Sequence, residues 1–157
     1  MHTPQFSNRT VAGFTLVEIC VAVSIIGLLC AICMPAYRKI KERSLNTLTT
    51  NELRIASGAL EHFVLEKGYW PPDGAGSLPS DLNGYLPPPD RWYKPTPIGG
   101  TWAWSLNADG AAAALRIDNF VVPTSQITSL DKMMDDGNPG TGNVIIAGQS
   151  LLYVLEK

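Results

Sequence analysis

One long apolar segment, with a single acidic residue near its start, constrains this chain more than any other feature. The segment runs from Phe14 to Met34, and Glu18 is its one charged residue. A helix of about 20 residues is roughly 30 Å long, which matches the hydrocarbon core of a bilayer. A carboxylate inside such a helix costs roughly 2.5–3.5 kcal/mol on insertion scales, so Glu18 requires a functional explanation.

The residues around this acid form the sequence Gly13-Phe-Thr-Leu-Val-Glu18. The pattern closely resembles the N-terminus of type IV prepilins and of type II secretion pseudopilins. The resemblance implies a leader peptide over residues 1–13, cleavage between Gly13 and Phe14 by prepilin peptidase, and methylation of the new Phe14 amine. The alternatives are an uncleaved signal anchor and a secretory signal peptide, which normally has a shorter apolar core. The position of Glu18 relative to Gly13 favours the prepilin interpretation.

The resemblance also gives Glu18 a role in assembly. Cleavage would leave an ammonium at Phe14, and both charges are unfavourable in lipid when unpaired. Pairing of Glu18 in one subunit with Phe14 of a neighbour, beside Thr15, would fix the register of a filament. Gly27 and Pro35 weaken a helix, because glycine has low helix propensity and proline removes a backbone donor. We therefore expect a helix that is broken near Gly27–Pro35 in filaments and continuous in the membrane monomer.

Charges on the two sides of the apolar segment give conflicting indications of topology. Arg9 precedes the segment, and a basic cluster follows it. A positive-inside count would place the C-terminal part in the cytoplasm. The resemblance implies the opposite: a single-pass protein of the bacterial inner membrane with a cytoplasmic N-terminus and a periplasmic C-terminal domain, which then enters a periplasmic or extracellular filament. The basic cluster comprises Arg38, Lys39, Lys41 and Arg43.

The rest of the chain predicts an α+β fold. Residues 14–36 form the membrane-spanning or filament-core helix, and apolar residues at helical spacing extend it over 37–68 as an amphipathic second half. Gly68 and Pro71 end this helix near Lys67. The C-terminal globular domain then covers 69–157. Its predicted strands are Thr101–Asn107, Ala113–Val122, Asn143–Ala147 and Leu151–Glu156, with short helices at Ser80–Tyr85 and Ser125–Asp135.

Together, these elements predict a long N-terminal helix packed against a small antiparallel sheet, which is the ladle shape of pilins. Four tryptophans lie in the turn-rich connection or in the first predicted strand. Exposed aromatic residues at this density could bind a glycan or a protein, but packing of the sheet onto the helix is the favoured interpretation. These tryptophans are Trp70, Trp92, Trp102 and Trp104.

An acidic cluster follows the second predicted helix. Some type II major pseudopilins bind calcium in a loop of this domain, and carboxylate oxygens suit calcium. The spacing here matches no calcium motif, so a solvated helix end is favoured and no cofactor is expected. The weak calcium candidates are Asp131, Asp135 and Asp136.

The sequence offers no catalytic constellation. All three cysteines lie in the apolar segment, and His62 would be the remaining histidine after cleavage at Gly13. Phosphate-loop, serine-nucleophile and His/Cys metal patterns are absent from the sequence, so we expect no enzymatic activity and no catalytic residue. A net charge of −2 argues against nucleic acid as the main partner.

The favoured interpretation is a structural pseudopilin that assembles into the helical filament of a type II secretion system for protein export. The alternative within this group is a type IV pilus pilin, a minor one by its lack of a C-terminal disulfide, serving adhesion, motility or DNA uptake. An alternative of another class is a membrane-tethered module that binds a glycan or a protein. The expected partners are prepilin peptidase, other pilins in a homo- or heteropolymer, the inner-membrane assembly platform, and the membrane before assembly.

Overall fold

Two α-helices and four β-strands make up the described part of the chain. The computed structural model describes residues 13–74, 77–87, 91–108 and 110–157, so the predicted leader lies outside the described residues except for Gly13. The elements are helix α1 (Leu16–Lys67), a 3₁₀ turn (Ser80–Leu82), strands β1 (Thr101–Ala108) and β2 (Ala111–Asp118), helix α2 (Thr124–Met134), and strands β3 (Val144–Ala147) and β4 (Ser150–Glu156). This order confirms the predicted α+β class.

The chain divides into two compact units between Ile40 and Lys41. In the first unit, α1 is long and apolar enough to cross a membrane, and the helix contains Pro35 without an interruption. All described residues of this unit are exposed, including Phe14 at 82% and Leu28 at 65%. The apolar side chains of the first unit are therefore not buried by other described residues.

The second unit contains a four-stranded antiparallel sheet in the order β1-β2-β4-β3. Trp104 of β1 pairs with Leu115 of β2, which pairs on its other side with Tyr153 of β4. The register between β2 and β4 shifts between Ala113 and Ala114. This irregularity falls at the end of the pairing, where it changes the local course of β2 without disturbing the core pairs.

The hydrophobic core of the second unit lies between the sheet and the two helices. Successive strand residues point to opposite faces, so Leu115 and Ile117 enter this core while Ala114 lies on the other face with Leu152. Leu60 of α1 is 0% exposed and belongs to the same core as Leu115. The other core residues from the helices are Leu53, Ala56, Phe63, Ile127 and Leu130.

Strand β2 is shorter than the sequence predicts. It ends at Asp118 rather than Val122, because Asn119 adopts a left-handed conformation with φ of 58°. The chain then turns away, and the Val121 amide donates to the carbonyl of Ile98 at 3.1 Å. The predicted helix at Ser80–Tyr85 was also too long, since one 3₁₀ turn ends at Leu82.

Three of the four tryptophans are buried, as the favoured interpretation predicts, and Trp70 is partly buried against the same core. Trp92, Trp102 and Trp104 are 5%, 4% and 0% exposed. The indole N–H of Trp104 donates to the Pro71 carbonyl at 2.9 Å, which ties the turn-rich connection to β1. A glycan-binding surface built on Trp102 and Trp104 is therefore wrong.

Candidate functional site

The start of α1 is a reciprocal capping box formed by Thr15 and Glu18. The Glu18 amide donates to Thr15 Oγ1 at 3.2 Å, while the Thr15 amide donates to Glu18 Oε2 at 2.8 Å. The Thr15 hydroxyl also donates to Glu18 Oε2 at 2.8 Å. A Thr-x-x-Glu sequence before an apolar run predicts this motif, because each side chain satisfies a free amide at the helix start. The sequence interpretation of Glu18 missed this local role.

The capping box leaves part of the Glu18 carboxylate available. Its hydrogen bonds use Oε2, and Oε1 accepts none from the described residues. Phe14 is 82% exposed and adjoins the box, and Gly13 is also exposed, so the predicted cleavage position is accessible. The structure thus brings Phe14, Thr15 and Glu18 together at one helix end.

The two predicted sites of helix weakness, Gly27 and Pro35, both lie within continuous α1. A Cβ at Gly27 would meet no heavy atom within 4 Å, so its lack of a side chain is not required by packing within this chain. Pro35 has no amide to donate within the helix. The expected break near Gly27–Pro35 concerns the filament, so it stays a prediction.

A second polar site lies at the end of α2, where Asp131, Asp135 and Asp136 converge. One carboxylate oxygen from each lies within 4.8 Å of the others. Asp136 accepts hydrogen bonds from the Asn138 amide and the Thr141 hydroxyl, both at 2.7 Å. The three residues singled out in the sequence as weak calcium candidates are therefore brought together by the fold.

Burial separates the protonation behaviour of these aspartates. Burial, followed by the nearby charges of Asp136 and Asp135, raises the pKa of Asp131. The hydrogen bond from the Thr141 hydroxyl, followed by that from the Asn138 amide, lowers the pKa of Asp136. The cluster thus combines a carboxylate that is unfavourable when charged with one that the loop stabilises in its charged form.

Two buried polar contacts of α1 were not predicted from the sequence. Asn46 Nδ2 donates to the backbone oxygen of Gln126 at 3.1 Å, and Gln126 Nε2 donates to Asn46 Oδ1 at 3.0 Å. Glu52, which is 6% exposed, forms an ion pair with Arg91. These contacts anchor α2 and the turn-rich connection to α1, and their partners are far apart in the sequence.

Known proteins similar to this chain are type IV pilins. The chain is 37% identical over 73 residues to fimbrial protein EcpC of Eikenella corrodens, covering 46% of this chain and 48% of EcpC. It is 32% identical over 84 residues to the type IV major pilin protein PilE1 of Neisseria gonorrhoeae, covering 49% of each chain. The chain thus spans about half the length of these curated relatives. No protein-family model matches it.

A solved structure has the same fold. The major type IV pilin PilA1 of Clostridium difficile superimposes with a TM-score of 0.55 at 18% sequence identity, over 76% of this chain and 98% of PilA1. Both chains therefore share the pilin fold, with a long N-terminal helix and a small antiparallel sheet. The chain is thus similar in sequence to type IV pilins over about half of its length, and it has the pilin fold.

Proposed function

We propose that this chain is a structural subunit of a type IV filament, held in the membrane by the first part of α1 before assembly. The observation that carries the proposal is the exposure of every described residue from Gly13 to Ser44, although most residues up to Met34 are apolar. Burial of a Leu or Ile side chain is worth about 1.5–3 kcal/mol, so this stretch is unstable in water. A bilayer before assembly and neighbouring helices afterwards would each remove it from water.

The start of α1 supports a defined register in that filament. Removal of the leader would place an ammonium at Phe14, next to the capping box. Glu18 Oε2 is used within its own helix, whereas Oε1 is available to the Phe14 amine of a neighbouring subunit. Glu18 would then cap its own helix and pair with its neighbour at the same time. Repetition of one such head-to-tail contact produces a helical filament.

The relatives favour a type IV pilus subunit, because EcpC and PilE1 are named as a fimbrial protein and a type IV major pilin. A type II secretion pseudopilin is the second candidate. It is supported by the position of the cysteines: Cys20, Cys30 and Cys33 all lie in α1, and the C-terminal domain has none to form a disulfide. Purification of sheared surface filaments separates the two, since a pilus subunit requires the pilus assembly ATPase and a pseudopilin requires the secretion ATPase.

The first test is the intact mass of the protein from its native membranes. A mass that begins at Phe14 and carries one added methyl is expected. Gly13→Val should keep the leader attached, because the substitution lies at the cleavage position. Gly58→Val is the matched control: a Cβ at either glycine meets nothing within 4 Å, so neither change disturbs packing. A wild-type mass that begins at Met1, in cells that process other prepilins, would contradict the proposal.

A further inference from the structure

Four of the 12 lysines and arginines of the chain lie within six consecutive positions of α1, just after the apolar segment. This basic cluster consists of Arg38, Lys39, Lys41 and Arg43, and each of its side chains is exposed. The ion pairs that the structure shows among the described residues involve Lys67, Arg91 and Arg116 instead. The cluster therefore directs its positive charge to the surroundings of the described chain.

Neither topology nor packing accounts for the basic cluster. The orientation implied by the prepilin resemblance places it on the side of the membrane that basic residues normally avoid. The core of the second unit does not use it either, because the buried residues of α1 begin at Asn46. A partner outside the fold would account for the concentration of charge at this position.

The first side chain of the cluster points back along α1 towards the apolar segment. The Cα–Cβ bonds of an α-helix tilt towards its N-terminus. Arg38 follows this direction, because its Nη2 atom lies 4.0 Å from the sulfur of Met34, one turn earlier. Met34 is the last residue of the apolar run. Arg38 thus holds its charge level with the end of that run, although its Cα lies about 6 Å further along the helix.

The end of the apolar run falls at the headgroup layer when α1 spans a bilayer. A run of this length matches the hydrocarbon core, so Met34 would lie at its boundary. Tyr37 is 66% exposed, and tyrosine is a residue type enriched at this boundary. The helix rises about 7.5 Å from Arg38 to Arg43, which is close to the thickness of one headgroup layer. The basic cluster would therefore lie at the depth of the lipid phosphates.

We propose that the basic cluster binds the phosphate groups of anionic phospholipids at the surface of the membrane that α1 enters. The inference rests on the proposed function, because it requires the first part of α1 to lie in a bilayer. Four basic residues and one acid, Glu42, leave a net charge of +3 over residues 38–43. Guanidinium and ammonium groups donate charge-assisted hydrogen bonds to phosphate oxygens. Binding at this end of the apolar run would fix its depth, and hence the level of Phe14 and Glu18 at the other end.

The test uses the full chain, purified from native membranes and delipidated in a non-ionic detergent. It is incubated with equal amounts of phosphatidylglycerol and phosphatidylcholine that carry the same acyl chains, and native mass spectrometry counts the lipids retained. One basic residue near an anionic surface increases binding about fivefold, so the wild type should retain at least about five times more phosphatidylglycerol. Arg38→Gln should lower this ratio about two- to fivefold. Arg54→Gln is the matched control, because Arg54 is an exposed arginine of the same helix beyond the cluster, and it should keep the ratio.

Two variants of the whole cluster separate charge from side-chain identity. Replacement of all four basic residues by glutamine should bring the lipid ratio to about one, whereas exchange of each lysine for arginine and each arginine for lysine should keep it. All four side chains are exposed, so both variants should fold.

A wild-type ratio near one, or an unchanged ratio in the glutamine variant, would overturn the proposal. Retention of a double-stranded DNA oligonucleotide that depends on the cluster, together with a lipid ratio near one, would overturn it in favour of nucleic acid. The intact mass of the same sample reports on the proposed function separately. A mass that begins at Phe14 combined with a lipid ratio near one would overturn the lipid inference alone.

Discussion

The buried amide pair between α1 and α2 allows one stability prediction to be worked out in detail. Asn46 and Gln126 are 3% and 5% exposed, and two hydrogen bonds of 3.1 and 3.0 Å join them. Asn46→Ala removes both bonds and leaves the Gln126 side-chain amide buried without its partner. An unsatisfied buried polar group costs about 1–3 kcal/mol, so with the lost packing we expect a loss of about 2–3 kcal/mol in the free energy of unfolding.

The assay is urea unfolding of the full chain in detergent, followed by tryptophan fluorescence, because Trp104 is fully buried in the same core. In thermal unfolding, a loss of 1 kcal/mol lowers the Tm of a domain of this size by roughly 4 °C. Asn46→Ala should therefore lower Tm by about 10 °C. Asn51→Ala is the matched control: Asn51 is an exposed asparagine of α1 and should change stability by less than about 0.5 kcal/mol.

A double-mutant cycle isolates the interaction from the loss of packing. Replacing Asn46 and Gln126 together by leucine removes both side-chain amides at once and leaves only the backbone oxygen of Gln126 without its Asn46 donor. We expect the double variant to be less destabilised than Asn46→Ala and to lie within about 1 kcal/mol of the wild type, because no side-chain amide is left buried without a partner. The coupling is refuted if Asn46→Ala costs no more than Asn51→Ala, or if the effects of the two single leucine variants simply add.

Three further predictions concern the helix start, the core and the aspartates. Glu18→Leu should insert into the membrane and be processed but assemble poorly, whereas Glu18→Gln should keep the helix cap and lose the charge. Equal incorporation of both variants and the wild type into sheared filaments would refute the pairing of Glu18 with the Phe14 amine of a neighbour. Trp104→Ala should lower the free energy of unfolding by about 3–5 kcal/mol in urea, since this buried side chain also bonds Pro71, and a loss below about 1 kcal/mol would contradict its place in the core. In EDTA, the raised pKa of Asp131 means that its proton is bound more tightly in the folded state than in the unfolded state. The free energy of unfolding should therefore rise as pH falls from 7 towards 3.8, the ordinary pKa of an aspartate. Asp131→Asn should remove that part of the pH profile.

Local patterns in the sequence were sufficient to predict most elements of this fold. The predicted end of α1 near Lys67 is confirmed, because Gly68 follows with a φ of 80° and prolines prevent continuation. The four predicted strands are also confirmed, with differences of a few residues at their ends. Periodicity and turn residues carry this information because both act over a few neighbouring positions.

Contacts between distant segments could not be predicted in the same way. Asn46 and Gln126 are 80 positions apart, and nothing local to either residue indicates its partner. The aspartates are an intermediate case: Asp131 and Asp135 are one helical turn apart, but the burial of Asp131 depends on how α2 packs. The capping box of Thr15 and Glu18, by contrast, is local and readable from the sequence.

The division of the chain at Ile40–Lys41 separates two kinds of evolutionary constraint. Among the described residues, all buried ones lie at Asn46 or beyond, so a substitution before Ile40 leaves the interior of the second unit unchanged. In the proposed filament, however, symmetry repeats that substitution at every subunit contact, so even a small effect is multiplied along the polymer. The effect of a core substitution is instead confined to the folded domain of each subunit. The apolar helix should consequently accept change slowly, while the domain behind it can diverge as long as it still folds.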